Sequence, residues 1–276
     1  MKKGAKIISI VLALVLIVAV VASLAACNKK SSSDWENVKA KGYLTCGITL
    51  YSPMNYIGDD DELTGFETEL AKAVGEKLGI PVKFQIISWE DKFIELNSKY
   101  IDCIWNGFTI KEERKDSCDF TKPYLKNSQV AVIRTADAAQ YTSADSFAGK
   151  KASAESGSTG YDYAKELTKD ADPWTLITKS PSQMSALTDV VSNNSNFAVV
   201  DYVLAKANCG TGSYSGLQIC TAAPAAVEYF AVGFRKGSDI TDKVNAALAD
   251  LYKSGYITSL AQKYGFDATD EVVPVE

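Results

Sequence analysis

Residues 101–114 read IDCIWNGFTIKEER, an apolar run that passes straight into a cluster of charges. IDCIWNG (101–107) suits a strand. Thr109 through Arg114 then suit the opening of a helix, with Thr109-x-x-Glu112 at capping-box spacing. A strand feeding a helix through a short turn is the repeating unit of an open α/β sheet. Such turns aim free backbone N–H groups outward at the carboxyl ends of the strands, where these folds take ligands. Arg114 falls in the first helical turn, where the helix dipole disfavours a cation unless an anion lies nearby. On the residues alone two readings stay open: a solvated run of charges, or an arginine placed to hold an anion.

The same alternation continues on both sides of this stretch. Upstream, YLTCGIT (43–49) suits a strand, and FETELAKAVGEKLG (66–79) carries apolar residues at 66, 70, 73, 74 and 78, which is helical spacing ended by Gly79 and Pro81. VKFQII (82–87) and WEDKFIELNSK (89–99) repeat strand and helix, predicting a parallel sheet with helices on both faces. Downstream, SQVAVIR (128–134) opens a second series: KKASAES, GSTGYDYAKELTK, PWTLITK, PSQMSALTDVVSN and FAVVDYVLAKAN. EYFAVGFR (228–235) returns as a strand, and helices are expected at 239–252 and 256–264. The fold class is therefore α/β. The second unit is inserted between a strand leaving near 130 and one returning near 230, which makes two lobes with a cleft between them and a two-strand hinge that lets it close. The expected division is 37–132 with 230–276 for lobe 1, and 133–229 for lobe 2.

The N-terminus reads separately. Lys2, Lys3 and Lys6 precede an apolar run from Ile7 to Val21 and then SLAAC at 23–27. This is the order of an export signal, and it predicts a signal peptide over 1–26 rather than an uncleaved anchor. Leu24-Ala25-Ala26-Cys27 resembles the lipobox of bacterial lipoproteins. That resemblance implies acylation of Cys27 with fatty chains such as palmitate, enough for stable attachment to the outer face of the cell membrane. Residues 27–36 then form the lipidated cysteine and a flexible tether.

Removing residues 1–26 takes the formal charge from −5 to −8, which argues against nucleic acid as a partner. The chain has no histidine, so Ser-His-Asp and Cys-His catalysis are excluded, and no GxSxG, GxGxxG or GxxxxGK[ST] motif occurs. GDDDELTG (58–65) lacks EF-hand spacing and reads as a solvated turn. No cofactor and no metal are expected. Outside the cytoplasm disulfides are permitted, and Cys209 with Cys220 bracket a loop that a disulfide could close. Cys46 and Cys103 lie in strand-like runs, where a buried unpaired thiol acts as a small hydrophobe.

Several stretches in order, GFETELAKAVGEKLG, W-x3-F-x2-L at 89–96, IDCIWNGFTIKEER, DFTKPY at 119–124, ESGST at 155–159 and FAVVDYVLA at 197–205, carry a resemblance. Over residues 37–266 the chain resembles the bacterial extracellular solute-binding proteins of family 3, which serve polar amino-acid ABC transporters. The resemblance implies a periplasmic-binding-protein type II fold, a free amino-acid ligand, and partners in an ABC permease and its ATPase, with the protein acting as a monomer and not as an enzyme. It implies that Arg114 clamps the ligand carboxylate, helped by Thr109 and by Ser158 and Thr159 at a helix start. Gly107 offers a carbonyl and Asp201 a carboxylate to the ligand ammonium, while Tyr51 and Trp89 flank the side chain, with Met54 and Trp105 as further wall. Core packing stands as the plainer role for these aromatics, and a helix cap for Asp201. The same fold also hosts enzymes such as cyclohexadienyl dehydratases, and ligand sensors, which are the competing readings. Two departures from the family pattern are visible. Lys111 replaces a threonine three residues before the arginine, which shifts helix capping toward Thr109, and Glu67 replaces an aspartate. Glu155 either reaches a cationic side chain or faces water.

Overall fold

The computed structural model describes residues 33–169 and 176–275. The signal peptide, Cys27 and the first part of the expected tether lie outside them, as do residues 173–175 of the expected strand PWTLITK. The tether ends earlier than expected: Ser33 caps helix α1 (Asp34–Lys41) by accepting from the Glu36 N–H, and Asp34 pairs with Arg235 at 2.8 Å.

Lobe 1 begins with strand β1 (Leu44–Ile48), buried along its whole length, followed by a small hairpin, β2 (Tyr56–Ile57) with β3 (Leu63–Thr64). Helix α2 (Phe66–Leu78) buries the face predicted from its spacing, with Phe66, Leu70 and Val74 fully inaccessible. Each such side chain contributes roughly 1.5–3 kcal/mol of burial. Strand β4 (Val82–Ile86), helix α3 (Lys92–Asn97) and strand β5 (Cys103–Ile104) follow, then helix α4 (Glu112–Lys115) and strand β6 (Asp119–Phe120).

The chain then crosses on β7 (Leu125–Arg134) into a second sheet. There it meets β8 (Ala152–Glu155), α5 (Thr159–Thr168), β9 (Ile177–Ser180), α6 (Gln183–Val191), β10 (Phe197–Asp201), α7 (Tyr202–Asn208) and β11 (Leu217–Ile219). Strand β12 (Ala226–Phe230) runs antiparallel to the start of β7, and β13 (Gly233–Phe234) re-enters the first sheet between β5 and β6. Helices α8 (Ile240–Lys253) and α9 (Tyr256–Lys263) complete lobe 1.

The first sheet has the order β4-β1-β5-β13-β6, and the second β11-β7-β10-β8-β9 with β12 also on β7. β1, β4 and β5 are parallel as expected, whereas β13 is antiparallel because the chain returns from the other lobe. The expected boundary at 132/133 falls inside β7, which pairs with the second sheet throughout. The single return strand expected at 228–235 is two strands, one in each sheet.

β7 alternates its side chains between two cores. Val130 and Val132 join the large core, while Ala131 and Ile133 join the smaller one with Phe147 and Phe197. This alternation separates the two cysteines expected to pair. Cys220 is buried in the smaller core, Cys209 packs against the larger core across the sheet, and both are free thiols. Cys46 and Cys103 stand opposite each other in the β1–β5 register, both free and fully buried.

Candidate functional site

Where the carboxyl ends of the two sheets face each other lies a narrow, tightly closed cleft. It is lined by Trp89, Asn106, Gly107, Thr109 and Arg114 from one lobe and by Gln129, Glu155, Ser158, Thr159, Gln183 and Asp201 from the other. Larger grooves elsewhere are shallow and open. The cleft is distinguished by convergent buried charge, the mark of a ligand site. Seven of the eight ligand residues expected from the sequence line it.

Arg114 is 7% exposed. One guanidinium nitrogen donates to the Thr109 carbonyl at 2.9 Å, and the group lies 5.0 Å from the Phe108 ring centroid. The second terminal nitrogen points toward the Gly157 carbonyl of the other lobe at a long 3.5 Å. Among the described residues no carboxylate pairs with it. Burial lowers its pKa, yet an arginine stays charged, so this is a buried cation without an anion.

The expected capping box does not form. Lys111 is the N-cap of α4 and makes no side-chain capping bond, which leaves the Thr109 hydroxyl out of helix capping. The Lys111 ammonium instead reaches across the cleft to Asp162 on α5 at 2.9 Å and also contacts Glu113 at 2.8 Å. Lys111 is therefore a tie between lobes, a role invisible in the local pattern.

Gly107 adopts φ +54°, and a Cβ there would meet the Tyr51 hydroxyl at 2.0 Å, so only glycine fits. The turn is pinned from below by Glu67, whose two carboxylate oxygens accept from the Gly107 N–H at 2.8 and 2.9 Å. Glu67 also accepts from Asn55 Nδ2 at 3.1 Å and from the Tyr124 hydroxyl. Nothing in the local sequence marks this role, yet Glu67 is a fully buried hub, and burial raises its carboxyl to about 7.

On the opposite wall, Ser158 is the N-cap of α5 and accepts from the Tyr161 N–H at 3.0 Å, which leaves its own O–H free to donate. Asp201, at the end of β10, does not cap α7 with its side chain. Its oxygens accept from Asn127 Nδ2 at 2.9 Å and from the amides of Gln129 and Gln183. Asn127 and Gln129 donate to Glu228 as well. Burial first, and then the charge of Glu228, hold the Asp201 carboxyl well above the usual range, so ionising it calls for an added cation.

Trp89 lines the cleft, with its ring edge-on to Phe108. Tyr51 departs from expectation: it packs in the large core beneath Gly107, outside the cleft lining, with its hydroxyl buried and unpartnered. Met54 and Trp105 are likewise core residues, Met54 in the turn closed by the Tyr51–Asn55 bridge and Trp105 directly after β5. Gln129, Gln183, Asn106 and Lys92 were not foreseen. Gln129 stands opposite Asp201 in the β7–β10 register, a relation that only strand pairing creates. The Lys92 ammonium, in turn, donates to the Trp89 carbonyl at 2.8 Å and, across the cleft, to the Gly157 carbonyl at 3.1 Å.

The chain is similar to known proteins. The family model for bacterial extracellular solute-binding proteins, family 3, matches residues 44–267. The L-cystine-binding protein TcyA of Bacillus subtilis is 30% identical over 270 residues, covering 92% of this chain and 96% of its own. The arginine-binding extracellular protein ArtP of the same organism is 28% identical over 244 residues, covering 88% and 92%. Among solved structures, a substrate-binding protein of an ABC uptake transporter from Streptococcus pneumoniae with bound histidine superposes with a TM-score of 0.76. It is 30% identical and covers 86% of this chain and 97% of its own. The fold is the periplasmic-binding-protein type II fold, two α/β lobes joined by two strands.

Proposed function

Since the chain belongs to the bacterial extracellular solute-binding proteins, family 3, we propose that it captures a free amino acid in the cleft and delivers it, enclosed, to an ABC permease and its ATPase. The observation that carries this reading is Arg114, a buried guanidinium with no carboxylate partner among the described residues, facing the start of α5. The ligand carboxylate completes it, and charge-assisted bonds of this kind contribute on the order of 1.5–3 kcal/mol each. Thr109 from lobe 1 and Ser158 and Thr159 from lobe 2 donate to the same carboxylate. The ligand ammonium goes to Asp201 and the Gly107 carbonyl, and its charge ionises the raised carboxyl. Trp89 packs on the side chain, and Tyr51 supports the Gly107 turn from the core.

Both lobes thus hold one ligand, and this differential contact favours the closed arrangement. In our reading the lobes divide near the crossings on β7 and β12, the protein acts as a monomer, and Cys27 carries the lipid that keeps it on the outer face of the cell membrane. It is a binding protein rather than an enzyme, as are the two Bacillus relatives by name. Calorimetry with the twenty amino acids tests the reading. At least one is expected to bind, with affinity lost in Arg114→Ala. No binding to any of them, or an unaltered Arg114→Ala, contradicts it.

A further inference from the structure

Glu155 ends β8 inside the cleft and is 2% exposed, and its Oε1 is buried without any hydrogen-bond partner. The other charges around the cleft are already engaged or assigned. Asp201 holds three amides, Arg114 holds the Thr109 carbonyl, and Lys92 donates to the carbonyls of Trp89 and Gly157. No cation lies within ion-pair distance of Glu155 among the described residues. An α-amino acid bound as proposed uses Arg114 for its carboxylate and Asp201 for its ammonium, which leaves Glu155 to meet whatever its side chain presents. A buried carboxyl with an open oxygen is costly unless it finds a donor or a positive charge.

We propose that Glu155 selects amino acids carrying a second positive group beyond the α-ammonium, such as a guanidinium, an ammonium or an imidazolium. The inference rests on the amino-acid reading above and narrows it to a ligand class. Trp89 on the adjoining wall already attracts one cation, the Lys92 ammonium 4.9 Å from its ring centroid, as an aromatic ring does. The charges that reach Glu155 agree. Burial pushes its carboxyl up to about 8, with Lys92 opposing the rise, and its charge in turn adds to the upward shifts of Asp201 and Tyr51. A ligand cation restores the ionised form.

Calorimetry decides between the outcomes, using the twenty amino acids together with ornithine, citrulline and cystine on wild type and Glu155→Gln. The tightest ligand is expected to bear a second positive group, and arginine to bind roughly ten- to a hundredfold more tightly than citrulline if it is that ligand. Glu155→Gln should lose at least about tenfold of that affinity, the scale of one charged hydrogen bond. A tightest ligand with a neutral or acidic side chain, or a Glu155→Gln protein that binds the cationic ligand as wild type does, overturns the inference and leaves amino-acid capture standing. Failure to bind any amino acid overturns the capture reading and this inference with it.

Discussion

Arg114 and Glu67 are neighbours in function and were unequally visible in the sequence. Arg114 stood out because a cation in the first turn of a helix conflicts with the dipole, and among the described residues that cation is buried without a paired anion. Glu67 gave no such signal, because nothing in GFETE reveals that its side chain will reach 40 positions ahead to the Gly107 N–H. Glu67→Ala would leave Gly107, Tyr124 and Asn55 with unmet donors, at about 1–3 kcal/mol each. Urea unfolding should therefore show a loss of about 3 kcal/mol or more, and a loss below about 1 kcal/mol would contradict the hub role. The raised carboxyls also set a pH dependence. Burial holds Glu67 at about 7 and Glu155 at about 8, against 4.5 for the ordinary group. In that window the folded chain keeps protons that the unfolded chain has released, so stability is greatest below about pH 4.5 for these groups and declines as the pH rises to about 8. Lys92, lowered by burial to about 8, adds the opposite trend above that value. Urea midpoints of the unliganded protein should fall between pH 5 and pH 8, as roughly placed by these shifts, with a shallower fall in Glu155→Gln. A midpoint that rises over this range contradicts the assignment.

At the scale of elements, the long periodic segments were legible and the short ones were not. Helix α2 buries the spaced residues predicted for it, and the tail helices fall within a residue of expectation. Strand β5 shrinks to Cys103–Ile104, since the chain must turn at Gly107 to form the floor of the cleft. The 109–112 pattern suggested a cap but delivers Lys111 across the gap to Asp162 on α5. This tie is part-exposed at 26% and 45% of the two side chains, so it adds no more than about 1 kcal/mol and weakens in salt. Lys111→Met should therefore speed ligand release several-fold at low ionic strength and little at high salt, as read by stopped-flow fluorescence. A release rate indifferent to both the substitution and the salt removes the tie from the account.

Over the whole molecule, the insertion of one α/β unit into another was readable from the order of strands and helices, and the family resemblance followed from motifs in sequence order. What could not be read was the pairing of distant strands. That pairing sets Gln129 opposite Asp201, places Cys209 and Cys220 on opposite sides of the second sheet, and sinks Tyr51 beneath Gly107. In the proposed reading the lobes turn on the two-strand crossing, β7 beside β12. Ligand should shift the population toward the closed form, and small-angle scattering should record a smaller radius of gyration with the bound amino acid than without it. An unchanged radius would argue against closure. The most direct test of the central claim is a crystal structure with the bound amino acid. The ligand carboxylate is expected on the Arg114 guanidinium at about 3 Å, with Ser158 and Thr159 completing its donors from the opposite lobe. A ligand carboxylate held anywhere other than on Arg114 would contradict it.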